Sequence, residues 1–423
     1  MKRFVHLSSI APCLLPIIID SLGFGLVYPI LTAIFNSPIG AQLVGSTSEQ
    51  LNAFYLGLAY MLFPFCMLFG ASFFGDLSDN LGRKKVIGLC MTGMVVSFLL
   101  MALGISILSL SLFLIGRGLT GLMAGSQPIA QAAIADLSTP KNKAFNMSIM
   151  TFTIALGIVI GPLIGGFFSD PNVIEGFGFW TPFVVAALLS LIAFIWILFG
   201  FKETFEVKEK KKLHPLRPIL IFKEGFAKKT VRYLILLFSC NQVGFGIFFQ
   251  TILIQINQDF QYSRFLLGVF NGWIGLGFAI GLILLIPYSL KRWKVETVGV
   301  LSLVATGIFE VLSGVNDNAP LTWALALPVA MADIVAYTMI MTVFSNAADK
   351  SSQGWIMGIF GAVVAISFAL AGFSTNLLGL TGTHGLIVIG GVLQLLSGFL
   401  LWHFIRKHPD YAAHGESEAS ALE

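Results

Sequence analysis

The sequence predicts an all-α membrane protein whose chain crosses the bilayer twelve times, in two bundles of six helices. The 423 residues are 56% hydrophobic and only 11% charged, and the mean hydropathy is +0.88. Such a chain has too little polar surface to cover a water-soluble globule. A helical span needs about 20 apolar residues, so the length suits about a dozen spans with short loops. The period-two alternation of a transmembrane barrel is absent from the sequence.

Twelve apolar stretches have the length of a membrane span. We place them near residues 10–35, 51–74, 86–105, 108–134, 144–168, 177–201, 231–254, 265–288, 295–315, 321–345, 354–377 and 385–404. The one long polar segment runs from Lys202 to Lys229. The chain is therefore predicted to consist of an N-terminal bundle (1–201), a cytoplasmic linker (202–230), a C-terminal bundle (231–407) and a polar cytoplasmic tail (408–423). The charged run 208–212 favours a solvated linker, with a helix along the membrane surface and binding of anionic lipid as alternatives.

The positive charges predict the orientation. If both termini are cytoplasmic, all of the 25 Lys and Arg residues except Arg117 and Arg264 fall on the inner side or its loops. Cytoplasmic loops of membrane proteins are enriched in these residues, so this orientation is the expected one. The apolar run after Lys2 and Arg3 is too long for a signal peptide and is expected to remain as the first span. Basic and aromatic residues do not interleave as in nucleic-acid binders, so no nucleic-acid partner is expected.

The reactive side chains do not suggest an enzyme. The four cysteines, Cys13, Cys66, Cys90 and Cys240, lie in apolar stretches without paired spacing, which predicts core-filling thiols. The six histidines fall at span ends or in loops, and no Ser-His-Asp arrangement, His-rich cluster or phosphate-binding loop is present in the sequence. We therefore expect no enzymatic activity, no cofactor and no metal. A membrane receptor or a membrane enzyme is the alternative from a different class.

Two ionisable residues in the N-terminal half lie at membrane depth. Asp20 is about ten residues into the first span, which is roughly 15 Å deep, and Arg117 reaches a similar depth in the fourth span. A carboxylate at that depth is costly and is kept where it faces a wet cavity or a partner. Asp20 is therefore a candidate for proton coupling, with a purely structural helix tie as the alternative. We also predict that Asp20 pairs with Arg117.

The C-terminal half has polar residues of its own inside apolar spans. Asp333 is about twelve residues into span ten, roughly 18 Å deep, and Glu310 is nearer the outer end of span nine. Both are predicted proton-coupling residues, although Glu310 could instead reach the outer interface. Neutral side chains add donors and acceptors, and hydrogen bonding between helices is the alternative for these amides. The predicted substrate cavity comprises Arg117, Gln127, Asn241, Gln242, Gln250 and Asn271.

A compact run of turn formers and charges, Gly75–Lys85, separates spans two and three. Gly82 can adopt the left-handed backbone of a tight reversal, and Gly75 is expected to let neighbouring backbone approach closely. Asp79 and Arg83 can pair with each other or with acids on adjacent helices. The run is similar to the signature between the second and third membrane helices of the major facilitator superfamily, although Asn80 stands where that family usually has arginine.

The fifth span carries a second pattern. Gly157, Gly161 and Gly165 fall on one helix stripe that lets a neighbouring helix pack backbone to backbone, Pro162 removes a helical hydrogen bond, and Gly166 follows. Ordinary glycine-zipper packing is the alternative interpretation, and it is sufficient to explain how this stripe acts mechanically. The spacing nevertheless resembles the antiporter signature of the drug/proton antiporter branch of the same superfamily.

This resemblance implies the major facilitator fold, alternating access, and export of small amphipathic or cationic compounds against inward proton flow. It also implies that Asp20 is a coupling residue, that Asp79 and Arg83 form a cytoplasmic gate with Gly75 and Gly82, and that Asp136 is a further partner for Arg83. The implied setting is a monomer in a bacterial inner membrane. The third span has no acid, unlike tetracycline-type exporters, so tetracycline is not the expected substrate. Uptake or release of an anionic metabolite or siderophore, held by Arg117, is the alternative within transport.

Overall fold

The computed structural model describes residues 2–139, 142–204, 214, 216–348 and 352–407, with side chains from residue 10 onward except at positions 143, 144 and 148. These residues contain helices and no strand, which confirms the all-α prediction for them. The predicted charged run 208–212 and the predicted tail 408–423 lie outside the described residues.

The described residues form sixteen α-helices. They are α1 (Lys2–Phe35), α2 (Pro38–Val44), α3 (Glu49–Leu81), α4 (Arg83–Ser106), α5 (Leu110–Met123), α6 (Ser126–Asp136), α7 (Lys143–Ser169), α8 (Thr181–Gly200), α9 (Arg217–Ala227), α10 (Lys229–Asp259), α11 (Arg264–Ile280), α12 (Ile286–Leu290), α13 (Val295–Gly314), α14 (Ala319–Asn346), α15 (Gln353–Phe373) and α16 (Leu378–Lys407). A π-helical turn, Gly281–Leu285, joins α11 to α12, and a 3₁₀ turn, Ser374–Leu377, joins α15 to α16.

Within the described chain, 10 helical stretches are long and apolar enough to cross a membrane. Two features separate this number from the twelve predicted spans. The predicted fourth span is divided into α5 and α6, each too short to count alone. The 55-residue stretch Gln353–Lys407 is counted once, although it contains two predicted spans and has non-helical backbone at Gly382. Each of the twelve predicted stretches is therefore mostly helical.

Helix starts are fixed locally by short polar side chains. The Ser48 hydroxyl accepts from the backbone N–H of Leu51 at the start of α3, and the Asn318 side chain accepts from the N–H of Leu321 at the start of α14. These contacts satisfy N–H groups that have no partner within the helix.

The described chain forms two compact units. Unit 1 contains residues up to Arg217 together with Gln261–Gly272, and unit 2 contains Pro218–Phe260 and the residues from Trp273 onward. The start of α11 thus belongs to unit 1. The predicted division into two bundles, a linker and a tail stays a prediction.

In unit 1, α1 packs against α7 along the glycine stripe. A Cβ atom built on Gly157 would lie 2.5 Å from the Cβ of Ser21, and one on Gly161 would lie 2.7 Å from the carbonyl oxygen of Leu22. A Cβ on Gly165 would collide with the carbonyl oxygen of Leu26. Side chains at these positions would force the two backbones apart, so the stripe sets the position of α1 against α7.

In unit 2, α10, α13, α14, α15 and α16 enclose an apolar core. Phe238 stacks on Phe360 with ring centroids 4.2 Å apart, and Phe344 packs on the same ring. Helix α9 lies against this core through Ile221 and Phe222. The predicted linker therefore does contain a helix.

Candidate functional site

Asp20 is buried in unit 1, where the residue is only 2% exposed. Its carboxylate accepts a hydrogen bond from the hydroxyl of Ser126. Ser126 is the first residue of α6 and follows the interruption between α5 and α6 at Ala124 and Gly125. The interruption in the fourth predicted span thus places a hydroxyl opposite the acid of the first span.

Arg117 is fully buried on α5, with an exposed fraction of 0%. Its Nε donates to the carbonyl oxygen of Ala59 over 3.1 Å, and its guanidinium lies over the ring of Phe63, 4.7 Å from the centroid. Neither Nη1 nor Nη2 has a hydrogen-bond partner among the described residues. The predicted pairing with Asp20 is wrong for this structure, since the acid is bound to Ser126 and no ion pair joins the two.

Aromatic side chains with hydroxyl groups lie close to Arg117. Tyr28 stacks on Tyr60 with centroids 5.1 Å apart, and the Tyr60 hydroxyl is 2.7 Å from that of Thr32. Both tyrosines are close enough to Arg117 to interact with its charge. The buried cation is therefore surrounded by rings and hydroxyls rather than by a carboxylate.

A polar cluster in unit 2 connects four helices. The amide nitrogen of Asn241 on α10 donates to Asp333 Oδ1 on α14 over 3.0 Å and to Gln394 Oε1 on α16 over 2.9 Å. The amide nitrogen of Gln394 lies 3.4 Å from Glu310 Oε1 on α13 and 3.5 Å from Asp333 Oδ1. Glu310 is 0% exposed and Asp333 is 4% exposed. Glu310 therefore points into the cluster and does not reach an outer interface.

The remaining predicted cavity residues are placed differently. Gln242 is buried and donates to Asn241 Oδ1 over 2.8 Å, so it extends the cluster. Gln250 is fully buried, and neither atom of its amide has a hydrogen-bond partner among the described residues. Asn271 is buried in unit 1, and Gln127 is half-buried on α6 with its backbone N–H donating to Ala124. The structure thus joins Asn241 and Gln242 to the two acids by hydrogen bonds.

The predicted gate run contains a single break in helix, Gly82, between α3 and α4. Its φ of +94° and ψ of 152° are readily accessible only to glycine. Arg83 Nε lies 2.6 Å from Asp136 Oδ2, which is the ion pair that the resemblance implied. Gly75 lies inside α3, and a Cβ there would meet nothing within 4 Å. The expected close backbone approach at Gly75 is therefore wrong. Asp79 is half-buried on the last turns of α3.

Two further carboxylates hold this region together. Both oxygens of Glu203 accept from backbone N–H groups at the start of α4, from Arg83 over 3.0 Å and from Lys84 over 3.1 Å. Asp76 accepts from Arg217 Nη1 over 3.1 Å and from the backbone N–H of His214. Glu203 and Arg217, which lie on either side of residues 205–213, are thus both bound to the predicted gate run or the start of α4.

At the C-terminal end of α7, residues of this helix and the following loop contact the start of α11, which also belongs to unit 1. Arg264 Nη1 donates to the carbonyl oxygen of Ser169 over 2.6 Å, and its guanidinium lies 3.6 Å from the ring centroid of Phe179. Asp170 accepts from the backbone N–H groups of Asn172 and Phe265. Burial raises the pKa of Asp170, but these hydrogen bonds outweigh it, so the pKa lies below its usual value.

Sequence reasoning did not identify Ser126, Gln394 or Glu203. Gln394 is an amide in an apolar stretch, the same signal that identified Asn241. Ser126 and Glu203 had no such signal, because a serine in a membrane helix and a glutamate in a polar linker are both ordinary.

The helices and buried polar sites define a multi-span integral membrane protein with the fold of a small-molecule transporter. The family model of the Major Facilitator Superfamily matches residues 10–372. The chain belongs to this family, which confirms the fold class and the family resemblance inferred from the motifs.

Curated relatives are similar at low identity. The class B tetracycline resistance protein of Escherichia coli is 27% identical over 189 residues, 44% of this chain and 42% of that protein. Multidrug resistance protein 2 of Bacillus subtilis is 29% identical, covering 54% of this chain and 58% of that protein. These matches span about half the length of the relatives. Major facilitator superfamily domain-containing protein 10 of Mus musculus is 25% identical over 407 residues, covering 89% of this chain and 83% of that protein.

Solved structures show the same fold. The human organic anion transporter MFSD10 superposes with a TM-score of 0.68 at 21% identity, covering 94% of this chain and 99% of that one. A D-xylose-proton symporter superposes with a TM-score of 0.73 at 13% identity, covering 94% and 97%. At these identities the likeness establishes the fold alone.

Proposed function

We propose that this protein is a proton-coupled secondary transporter that exports small amphipathic or cationic compounds by alternating access, in a bacterial inner membrane with both termini in the cytoplasm. The observation that carries the proposal is the burial of Asp20, Asp333 and Glu310 inside membrane helices without an ion pair to any described residue. The tetracycline and multidrug resistance relatives support export of such compounds.

Burial explains how these acids would couple protons to movement. An ionised carboxylate away from water is costly, and binding a proton removes its charge. An acid that is exposed to water in one state and buried in another therefore makes the protein's conformation depend on protonation. A proton crossing the membrane potential gains about 2.3 kcal/mol per 100 mV, which would drive export.

The gate and the glycine stripe have mechanical roles in this proposal. The Arg83–Asp136 ion pair and the Glu203 cap fix the reversal between α3 and α4 on the predicted cytoplasmic side. The close contact of α7 with α1 supports the position of Asp20, since α1 carries that residue.

The test uses proteoliposomes with an imposed pH gradient and a panel of fluorescent cations, antibiotics and organic acids. We expect gradient-driven movement of a cationic compound by the wild type, and loss of that coupling in Asp20→Asn and Asp333→Asn. Glu175→Gln is the matched control, because Glu175 is an exposed acid in a loop. If Asp20→Asn and Asp333→Asn transport with the same dependence on the proton gradient as the wild type, the proposal is contradicted. A wild type that moves no compound and no protons would favour the receptor alternative.

A specific observation favours an organic anion as the second candidate substrate. The guanidinium of Arg117 is fully buried, and its two terminal nitrogens have no hydrogen-bond partner among the described residues. A carboxylate matches a guanidinium by two parallel hydrogen bonds. The human organic anion transporter MFSD10, which shares this fold, agrees with this alternative.

Substitution of Arg117 by lysine separates the two candidates. Lysine keeps the charge and loses the bidentate geometry. If the substrate is an organic acid, Arg117→Lys should weaken its binding by about tenfold or more, in line with about 1.5–3 kcal/mol for a charged hydrogen bond. If the substrate is a cation, the same variant should bind it nearly as well as the wild type. Binding measured by isothermal calorimetry in detergent distinguishes these outcomes.

A further inference from the structure

Two buried carboxyl groups in unit 2 share one hydrogen-bond donor. Glu310 Oε1 and Asp333 Oδ1 lie 3.4 Å and 3.5 Å from the same amide nitrogen of Gln394, so these two oxygens are at most about 7 Å apart. Asn241 holds Gln394 in place by donating to its Oε1 over 2.9 Å and by accepting, through its backbone carbonyl, from its Nε2 over 3.2 Å. The donor is therefore fixed between the two acids.

In the described part of the chain, the two acids are not compensated by an ion pair. Among the described residues, neither Glu310 nor Asp333 forms an ion pair with a Lys, Arg or His. The titratable groups that face them are each other and Tyr337, which lies one turn further along α14 and interacts with the charge of Asp333. Cys240, beside Asn241 on α10, is half-buried. Two like charges this close in an apolar interior are too costly to coexist.

One carboxylate oxygen of the pair is available to bind a proton. Glu310 Oε2 is buried and has no hydrogen-bond partner among the described residues. It lies close to Gly390, where a Cβ atom would be 3.5 Å away. Gly390 is one turn before Gln394 and packs on the backbone of Gly244 in α10, so Glu310 extends to the crossing of α10 and α16. A buried acceptor without a donor is expensive, and a proton on the carboxyl group relieves that cost.

We propose that Glu310 and Asp333 form one coupled proton-binding site, and that Gln394 is the positioning residue that joins them. The ligand is a proton, which the pair shares so that both acids are not ionised together while the site is buried. The inference rests on the proposed proton-coupled transport and assigns its C-terminal proton site to a pair in place of a single acid. Coupled acids of this kind titrate as a pair and not as separate residues.

The test is the pH dependence of substrate transport in proteoliposomes, measured as the pH at half-maximal rate. Glu310→Gln removes the like charge beside Asp333, and we expect the midpoint to fall by about 1 to 2 pH units. Gln394→Leu removes a donor that stabilises the ionised carboxylates, and we expect the midpoint to rise by about 1 pH unit. The two variants thus shift the midpoint in opposite directions, which a loss of folding alone would not produce.

Ser397→Ala is the matched control. Ser397 lies on the same helix as Gln394, is equally buried, and donates its hydrogen bond to the Leu237 carbonyl on α10 over 2.9 Å and not to either acid. The pH at half-maximal transport rate of Ser397→Ala should equal that of the wild type. If Gln394→Leu does not yield folded protein, Gln394→Asn serves instead, because it keeps the amide and withdraws its nitrogen from both carboxyl groups.

The outcomes separate the inference from the function on which it rests. A wild type without substrate-dependent proton movement would overturn the proposed function itself. A proton-coupled wild type whose midpoint is unchanged in both Glu310→Gln and the Gln394 variant would overturn only the shared site. Opposite shifts in the two variants, with none in Ser397→Ala, would support it.

Discussion

Replacing Gly82 with alanine should destabilise the reversal between α3 and α4. Gly82 has φ +94° and ψ 152°, a backbone conformation that residues with a Cβ rarely adopt. The added Cβ would also lie 2.5 Å from a carboxylate oxygen of Glu203, the residue that caps α4. The substitution therefore strains the backbone and displaces a cap at the same time.

The magnitude follows from these two contributions. A non-glycine residue held in this region of φ and ψ costs about 1–3 kcal/mol. Loss of an exposed helix cap costs about 0.5–1 kcal/mol, the lower part of the measured range. The sum is about 1.5–4 kcal/mol, which corresponds to a fall of about 3–16 °C in the thermal midpoint of a domain of this size.

The assay is thermal unfolding of the purified protein in detergent, followed by intrinsic fluorescence. Gly75→Ala is the matched control, because Gly75 lies in α3 with open space around a Cβ and should be neutral or gain about 0.5–1 kcal/mol. Glu203→Ala and the double variant complete the cycle. Because Gly82→Ala already displaces the cap, the double variant should cost less than the sum of the singles. A Gly82→Ala protein as stable as Gly75→Ala would refute the reasoning.

Three further outcomes follow from the structure. Asp136→Asn removes the ion pair with Arg83. We expect slower transport in proteoliposomes with a thermal midpoint within a few degrees of the wild type, because the Asp136 side chain is 34% exposed and ion pairs at the surface contribute about 0–1 kcal/mol. Asp170 has a lowered pKa, so its ionised form stabilises the fold above the unfolded pKa of about 4 and that contribution is lost as pH falls towards the folded pKa; Asp170→Asn should therefore lower the thermal midpoint at pH 7, and the difference should vanish in acid. Gly161→Leu should abolish transport by forcing α7 from α1, whereas Gly361→Ala, with nothing within 4 Å of its Cβ, should retain it; equal activity of the two would contradict the packing argument.

The membrane spans could be predicted from the sequence because each depends on the composition of one continuous stretch of residues. Apolar stretches of membrane length and the distribution of charges determine spans without any knowledge of packing. The division of the fourth span into α5 and α6 could not be predicted in this way, because residues 124 and 125, an alanine and a glycine, do not interrupt the apolar stretch. The break has a consequence for the site, because it lets α6 present Ser126 to Asp20.

The buried site residues were predictable one at a time, but their partners were not. The depth of Asp20, Arg117 and Asp333 follows from counting residues along each span. Which of them meet depends on helix rotation and on which helices are neighbours, and neither follows from depth. Two residues at the same depth, Asp20 and Arg117, therefore have different partners, a hydroxyl and a backbone carbonyl.

The buried cation of unit 1 and the buried acid pair of unit 2 have different neighbours. In unit 1 the buried cation Arg117 has aromatic and hydroxyl neighbours, whereas in unit 2 the buried groups Glu310 and Asp333 are acids with amide neighbours. An amide can donate to an ionised acid and still remain in place when that acid is neutral, so it does not oppose proton uptake as a fixed positive charge would. A lysine or arginine in place of Gln394 would keep the acids ionised. The use of amides in unit 2 therefore favours reversible protonation there, while Arg117 in unit 1 keeps its charge and is suited to act on the substrate or on the field around Asp20.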